Sequence, residues 1–338
     1  MMLLIRCKRK ESRGNAVLPL RIGATLEVLP EVRVPATGEE QVGHGGGAVW
    51  VRSESFRRDW QVVVHDIFTG GTRIVAVPLR PAQFHVHEDG VIVGAEATIG
   101  WIDLREARPA WRQIHHKEEM FGSRKAYDLF ARAGDWLVAI DDIVWPIYAD
   151  SFTLVAGGPP IHGAAWSLPA HANGTFLYAT LVRAADRDGV LFLVDKFVTH
   201  GVLGHRLTAV PIRRNKLSTS DADISTCRET LNAFEGTQRL LAGADFTPWR
   251  GLAVHERRVL LAAEGRGLFV LPYAFNRETR PVVVDVGGEC RDVMVADGRT
   301  WVLVGGTENA VVELRWAGDA AHEVARTRLR WGYDQFMR

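Results

Sequence analysis

The densest group of side chains able to do chemistry is Gln83-Phe-His85-Val-His87-Glu88-Asp89. If this stretch is a strand, residues 83, 85 and 87 share one face and Phe84 and Val86 the other, because side chains alternate along an extended backbone. Two imidazoles at that spacing can share a divalent cation, with Gln83 or a further histidine completing the shell. His162, just after Gly157-Gly-Pro-Pro160, is the best candidate for that further ligand, and His44, ahead of Gly45-Gly-Gly47, is the second. The metal would serve a lyase or hydrolase as a Lewis acid, with Tyr127, Asp128 or Arg250 moving a proton or holding substrate. The competing account treats each histidine as a half-buried side chain bonded to a backbone group of an adjacent sheet, and it is the preferred one.

A second group consists of residues that open recurring strands: Gln83, Tyr127 or Asp128, His162, Arg250 and Arg291. If those strands are equivalent, their first residues ring one mouth of a channel. Two guanidiniums there would hold a carboxylate or phosphate through paired donors. The plainer account, which is favoured, pairs Arg291 with Asp292 or with a carboxylate of a neighbouring sheet. Other signatures are weak or missing. Gly43-His-Gly-Gly-Gly47 precedes a strand rather than a helix, so no helix N-terminus backs it as a phosphate cradle. No Gly-x-Ser-x-Gly or His-Glu-x-x-His occurs. Asp141 and Asp142, like His115 and His116, are adjacent and diverge on a strand. His255, beside Glu256 and Arg257, reads as part of a turn.

These residues need a scaffold, and the chain is written as strands. It has 33 glycines and 14 prolines, and its apolar runs are four to eight residues long, closed by turn dipeptides. The clearest unit starts at Trp249: Arg250-Gly-Leu-Ala-Val-His-Glu, Arg258-Val-Leu-Leu-Ala-Ala, Gly267-Leu-Phe-Val-Leu-Pro and Arg280-Pro-Val-Val-Val-Asp are four strands. The phrase returns as Arg291-Asp-Val-Met-Val-Ala-Asp-Gly, Thr300-Trp-Val-Leu-Val-Gly, Ala310-Val-Val-Glu-Leu-Arg and Glu323-Val-Ala-Arg-Thr-Arg-Leu. A repeat of roughly 40 residues built from four short strands is the period of propeller blades. Such sheets need neighbours on both faces, which radial repetition supplies. First strands recur near residues 44, 84, 127, 161, 249 and 291, with a double-length gap between 161 and 249. The fold expected is all-β: a β-propeller of four-stranded blades, seven with one blade in the gap, six without it. The whole chain, 1–338, forms one domain, and N-terminal strands within 1–43 close the ring. Residues 215–244 are expected to form a helical insertion. Ser220-Asp-Ala-Asp223 resembles a capping box there, and Ile224, Cys227, Leu231, Phe234 and Leu241 fall near one helical face.

The composition narrows the partners. With 338 residues, 47% of them hydrophobic, the chain can fill a large core. Forty-one basic against forty acidic side chains leave a net charge of +1, so no overall field exists to hold nucleic acid or an anionic membrane. Cys7, Cys227 and Cys290 are three in number and far apart, which suits a reducing compartment. No stretch approaches the roughly 18 apolar residues of a membrane span, and the charged start is unlike a secretory signal. A cytoplasmic, soluble protein is the expectation.

The segment from Arg250 to Leu314 resembles bacterial propeller repeats of the LVIVD type, and more loosely the WD and NHL repeats, through Arg-Gly-Leu-Ala-Val, Gly-Leu-Phe-Val-Leu and Arg-Asp-Val-Met-Val-Ala-Asp-Gly. The likeness covers two blades, and the WD dipeptide with its Gly-His partner is absent. The histidines are distantly similar, in residue type, to those of metal-dependent lyases on propeller scaffolds. Families of this kind include scaffolds, ligand-binding proteins and enzymes, so the resemblance implies a fold and a bacterial style rather than an activity. The leading functional expectation is a non-enzymatic module that presents its channel mouth and loops to a protein or small molecule, with no cofactor. The alternative is the metal-dependent enzyme built on His85, His87 and His162.

Overall fold

The computed structural model describes residues 2–7, 15–34, 41–45, 47–56, 59–81, 83–87, 90–95, 98–116, 127–133, 136–141, 151–156, 163–167, 176–187, 190–199, 202–211, 229–231, 249–263, 265–275, 279–330, 332–333 and 335–336. These residues form antiparallel sheets, and no helix occurs among them. The first sheet holds β1 (Met2–Cys7), β2 (Asn15–Ile22), β3 (Leu26–Val28) and β4 (Val32–Val34). The second holds β5 (Gln41–Gly45), β6 (Gly47–Phe56), β7 (Asp59–Asp66) and β8 (Thr72–Val77), and the third β9 (Gln83–His87), β10 (Gly90–Ala95), β11 (Thr98–Asp103) and β12 (Trp111–His116). The fourth comprises β13 (Tyr127–Ala133), β14 (Trp136–Asp141), β15 (Ser151–Ala156) and β16 (Gly163–Ser167), and the fifth β17 (Phe176–Arg187), β18 (Val190–Thr199), β19 (Val202–Pro211) and β20 (Glu229–Leu231). The sixth is β21 (Trp249–His255), β22 (Arg258–Ala263), β23 (Gly267–Pro272) and β24 (Val282–Val284), and the seventh β25 (Glu289–Ala296), β26 (Arg299–Gly305), β27 (Ala310–Ala317) and β28 (Ala320–Arg328). Finally β29 (Gln335–Phe336) returns to pair with β1, with Phe336 opposite Ile5.

First strands pack in succession, from β5 through β9, β13, β17 and β21 to β25, and β25 meets β29. This is a β-propeller. Its seams explain why the strands read as unbroken apolar runs. In β22, Val259, Leu261 and Ala263 pack with Phe192, Val194 and Leu207 of the fifth sheet, while Leu260 and Ala262 pack with Val293, Val302 and Val304 of the seventh. The same division recurs in β26, where Trp301 and Leu303 join Leu3 and Ile5 of the first sheet. Leu4 turns the other way, toward Trp50 of the second sheet. Both faces of a sheet are therefore core, and polar alternation is lost. Each such buried Val or Leu contributes about 1.5–3 kcal/mol, so a sheet deprived of a neighbour loses a whole layer.

Three expectations change. Gly163–Ser167 is not a first strand: it lies at the opposite edge of its sheet from β13, and the next first strand is β17, which starts at Phe176. The long interval before Trp249 holds one sheet rather than an added one, and another sheet is assembled from the two ends of the chain. Within the expected helical insertion 215–244, Glu229–Leu231 pair as a strand with β19; the rest of that interval lies outside the described residues.

Candidate functional site

The first strands share a feature that their sequences conceal. In β13, β17, β21 and β25 the pairing with the second strand slips by one residue, leaving Asp128, Val182, Arg250 and Arg291 as bulges, and β17 slips a second time at Leu177. All four stand five residues before the last residue of their strand, so they occupy one level of the ring. A bulge bends the strand and re-aims the extra side chain, and such features concentrate at rims and sites. Three of the four bulged residues are charged, and these three are among those expected at the channel mouth.

Their surroundings differ. Arg250 is exposed. Arg291 is half-buried: its Nη1 donates to the Tyr333 carbonyl at 3.1 Å and its Nη2 approaches Glu289 Oε2 at 3.5 Å. A Cβ at Gly305 would come 2.0 Å from Arg291 Nε, so glycine is what admits the guanidinium. Arg291 is expected to pair with Asp292 or with a carboxylate of a neighbouring sheet; its guanidinium instead clamps the C-terminal segment and approaches Glu289 of its own strand. Asp292 is fully buried. Its Oδ1 accepts the Val293 N–H at 2.8 Å and its Oδ2 the Phe336 N–H at 2.9 Å. Gly251, which follows the bulged Arg250, leaves room for that carboxylate, since a Cβ there would lie 2.3 Å from Oδ1. The neighbouring Cys290 thiol is pushed far up, first by burial and then by the Asp292 charge, and is no nucleophile at neutral pH.

Gln83 opposes Gly94, His85 opposes Ile92 and His87 opposes Gly90 in β9; Tyr127 opposes Asp141 at the start of β13. The side chains of these residues and of Asp128 lie outside the described part, as does the whole of His162. Phe84 and Val86, on the other face of β9, are buried in the seam with the second sheet. β5, which carries His44, packs beside β9. Among the described residues no group of three or more His, Cys, Asp or Glu is placed to hold a metal ion.

His255 is more than a turn residue. It is buried between the sixth and seventh sheets, with Nδ1 2.7 Å from Thr300 Oγ1, and the Trp316 Nε1–H donates to the same hydroxyl at 2.9 Å. Arg258 covers the Trp316 ring at 4.9 Å and pairs with Glu256 at 2.9 Å. The group ties two sheets together at the hairpin ends, opposite to the bulges. The bulges and this network depend on register and on contacts across a seam, so residue type alone gave no sign of either; the repeated Arg-Gly and Arg-Asp pairs at 250 and 291 were the available hint.

No protein-family model matches the chain, and no curated protein matches its sequence. Solved structures do. Hsv2p of Kluyveromyces lactis superimposes with a TM-score of 0.52 at 11% identity, over 98% of this chain and 96% of that one. A protein from Lactobacillus plantarum gives 0.51 at 12% identity, over 99% and 98%. A chain of the mitotic checkpoint complex gives 0.50 at 10% identity, over 86% and 80%. At these identities the likeness is one of fold, and the fold it supports is the β-propeller.

Proposed function

We propose that the chain is a seven-bladed, single-domain propeller, closed by strands from both ends, that acts in the cytoplasm as a non-enzymatic interaction module. Its channel mouth, with Gln83, Tyr127, Asp128, Arg250 and Arg291 around it, would receive a protein segment or a small molecule. The observation that carries this reading is the bulge repeated at the same distance from the end of four first strands, three times at a charged residue: Asp128, Arg250 and Arg291. Arg250 is an exposed residue whose guanidinium suits a carboxylate or phosphate, and Arg291 holds the C-terminal segment and supplies shape. The test is crosslinked capture from the native host with the wild-type chain and with Arg250→Glu. A partner recovered with the first and reduced roughly tenfold with the second supports the mouth as the site. Equal recovery refutes it.

The metal-dependent reading keeps one observation in its favour: β5 with His44 lies beside β9 with His85 and His87. Elemental analysis of the untagged protein, purified without chelator, decides it. About one transition metal per chain, lost in a folded His85→Ala/His87→Ala variant, would make an enzyme the primary reading. Absence of metal from the wild type removes it.

A further inference from the structure

The outer edges of the sheets are not alike. β3, β4, β20 and β24 are three residues each, and β12 and β28 are interrupted by extra residues at Ile114 and Val324. Short or bulged edge strands are how sheets avoid pairing with other chains. β8 lacks both devices. It pairs with β7 through six residues in unbroken register, from His65 opposite Thr72 to Trp60 opposite Val77, and no strand among the described residues pairs with its other side. β16 also runs unbroken, but it is shorter and its side chains lie outside the described part.

The hydrogen-bonding direction of this edge follows from the turn before it. Asp66 N–H donates to the Gly71 carbonyl at 2.8 Å. Bonded pairs alternate along an antiparallel ladder, so Arg73, Val75 and Val77 bond to β7. Thr72, Ile74 and Ala76 turn their N–H and C=O groups outward. These three residues are exposed, Ile74 by 60%, and Phe68 in the preceding turn by 53%. A cation stands at either end of the strand. Arg73 donates to the Leu104 carbonyl, and Arg80 lies over Trp60 at 5.5 Å. Neither has a carboxylate partner among the described residues.

We propose that β8 is a docking edge for an extended, acidic segment of a partner protein, which joins the second sheet as an additional antiparallel strand. Backbone pairing with Thr72, Ile74 and Ala76 provides the affinity, an apolar residue covers Ile74, and carboxylates at the ends meet Arg73 and Arg80. This surface is separate from the channel mouth and does not depend on what binds there.

The probe is a fluorescein-labelled peptide, Glu-Thr-Val-Thr-Val-Glu-Thr with blocked ends, titrated by anisotropy with the full chain. Saturable binding is expected, weakened roughly tenfold or more by Ile74→Lys and by replacing the peptide's glutamates with lysine. Ala76→Pro removes an outward donor and none of the β7 bonds, so it should weaken binding without unfolding the sheet. If either variant proves unstable, a peptide N-methylated on alternate residues makes the same test against the wild-type protein. Arg250→Ala should bind as the wild type does. No saturable binding up to about 1 mM peptide, or equal affinity for the N-methylated peptide, overturns the proposal. A concentration-dependent dimer that Ile74→Lys dissolves would assign the edge to a second copy of the chain and overturn it equally.

Discussion

His65 shows how one side chain records its setting. Arg52 Nε donates to its Nε2 at 3.2 Å, and its Nδ1 lies 2.9 Å from Thr72 Oγ1, an arrangement that suits the neutral ring. Burial, and then the Arg52 charge, lower its pKa from the ordinary 6.5, with Glu54 opposing. On acidification the unfolded chain takes up this proton before the folded one does, so stability falls as pH drops below about 6.5. Thermal midpoints between about pH 7.5 and 5.5 should decline less steeply in His65→Gln than in the wild type. Asp103 titrates in a separate window: the Arg105 guanidinium, bonded at 3.0 and 2.8 Å, holds its carboxyl down to about 2, and its contribution is lost only below 3.8. Gly251 is the other residue with a sharp forecast. Alanine there would meet both Asp292 Oδ1 and, at 2.8 Å, the Val293 backbone nitrogen. Gly251→Ala should cost about 1–3 kcal/mol in denaturant unfolding. The histidines that drew most attention in the sequence are another matter, because residue type marks a candidate but cannot supply the across-ring distances that make a metal shell.

At the level of elements, the hairpins of the last two sheets were readable because their turns carry chemistry. Asp297 and Gly298 adopt φ of 54° and 66°, the left-handed pair that a two-residue hairpin turn requires, and Asp-Gly announces it. A Cβ on Gly298 would touch nothing, so Gly298→Ala isolates the backbone term and should lower stability by about 1 kcal/mol by chemical denaturation. Burial of both strand faces gave the apolar runs from which the strands of the sixth and seventh sheets were read. A bulge is not legible in sequence, because an extra residue has no signature until its partner strand is in place. For the same reason Gly163–Ser167 passed for a first strand: an outer strand of small and apolar residues looks like an inner one when only local periodicity is available. His255 reads as a turn residue in sequence because Thr300 and Trp316 are distant along the chain and join its network only across the seam.

Across the whole molecule, the decisive contact is the smallest. β29 has two residues, yet Phe336 is buried in one cluster with Leu3, Leu20 and Leu303, Tyr333 Oη donates to Glu31 at 3.2 Å, and Asp292 and Arg291 hold the backbone on either side. Phe336→Ala should cost about 3–5 kcal/mol, more than a comparable truncation at the exposed Phe68, as read from paired urea titrations. Repetition along the sequence announces the propeller, and strands within 1–43 are expected to close it; the part played by β29 is not legible, since no local pattern joins it to β1. That arrangement has a consequence in time. β1 is synthesised long before its partner β29, so the first sheet cannot be completed until Gln335–Phe336 have emerged. Until then one edge of β1 stays open. A nascent chain held before β29 has emerged should accumulate with that edge unpaired and exposed to mispairing.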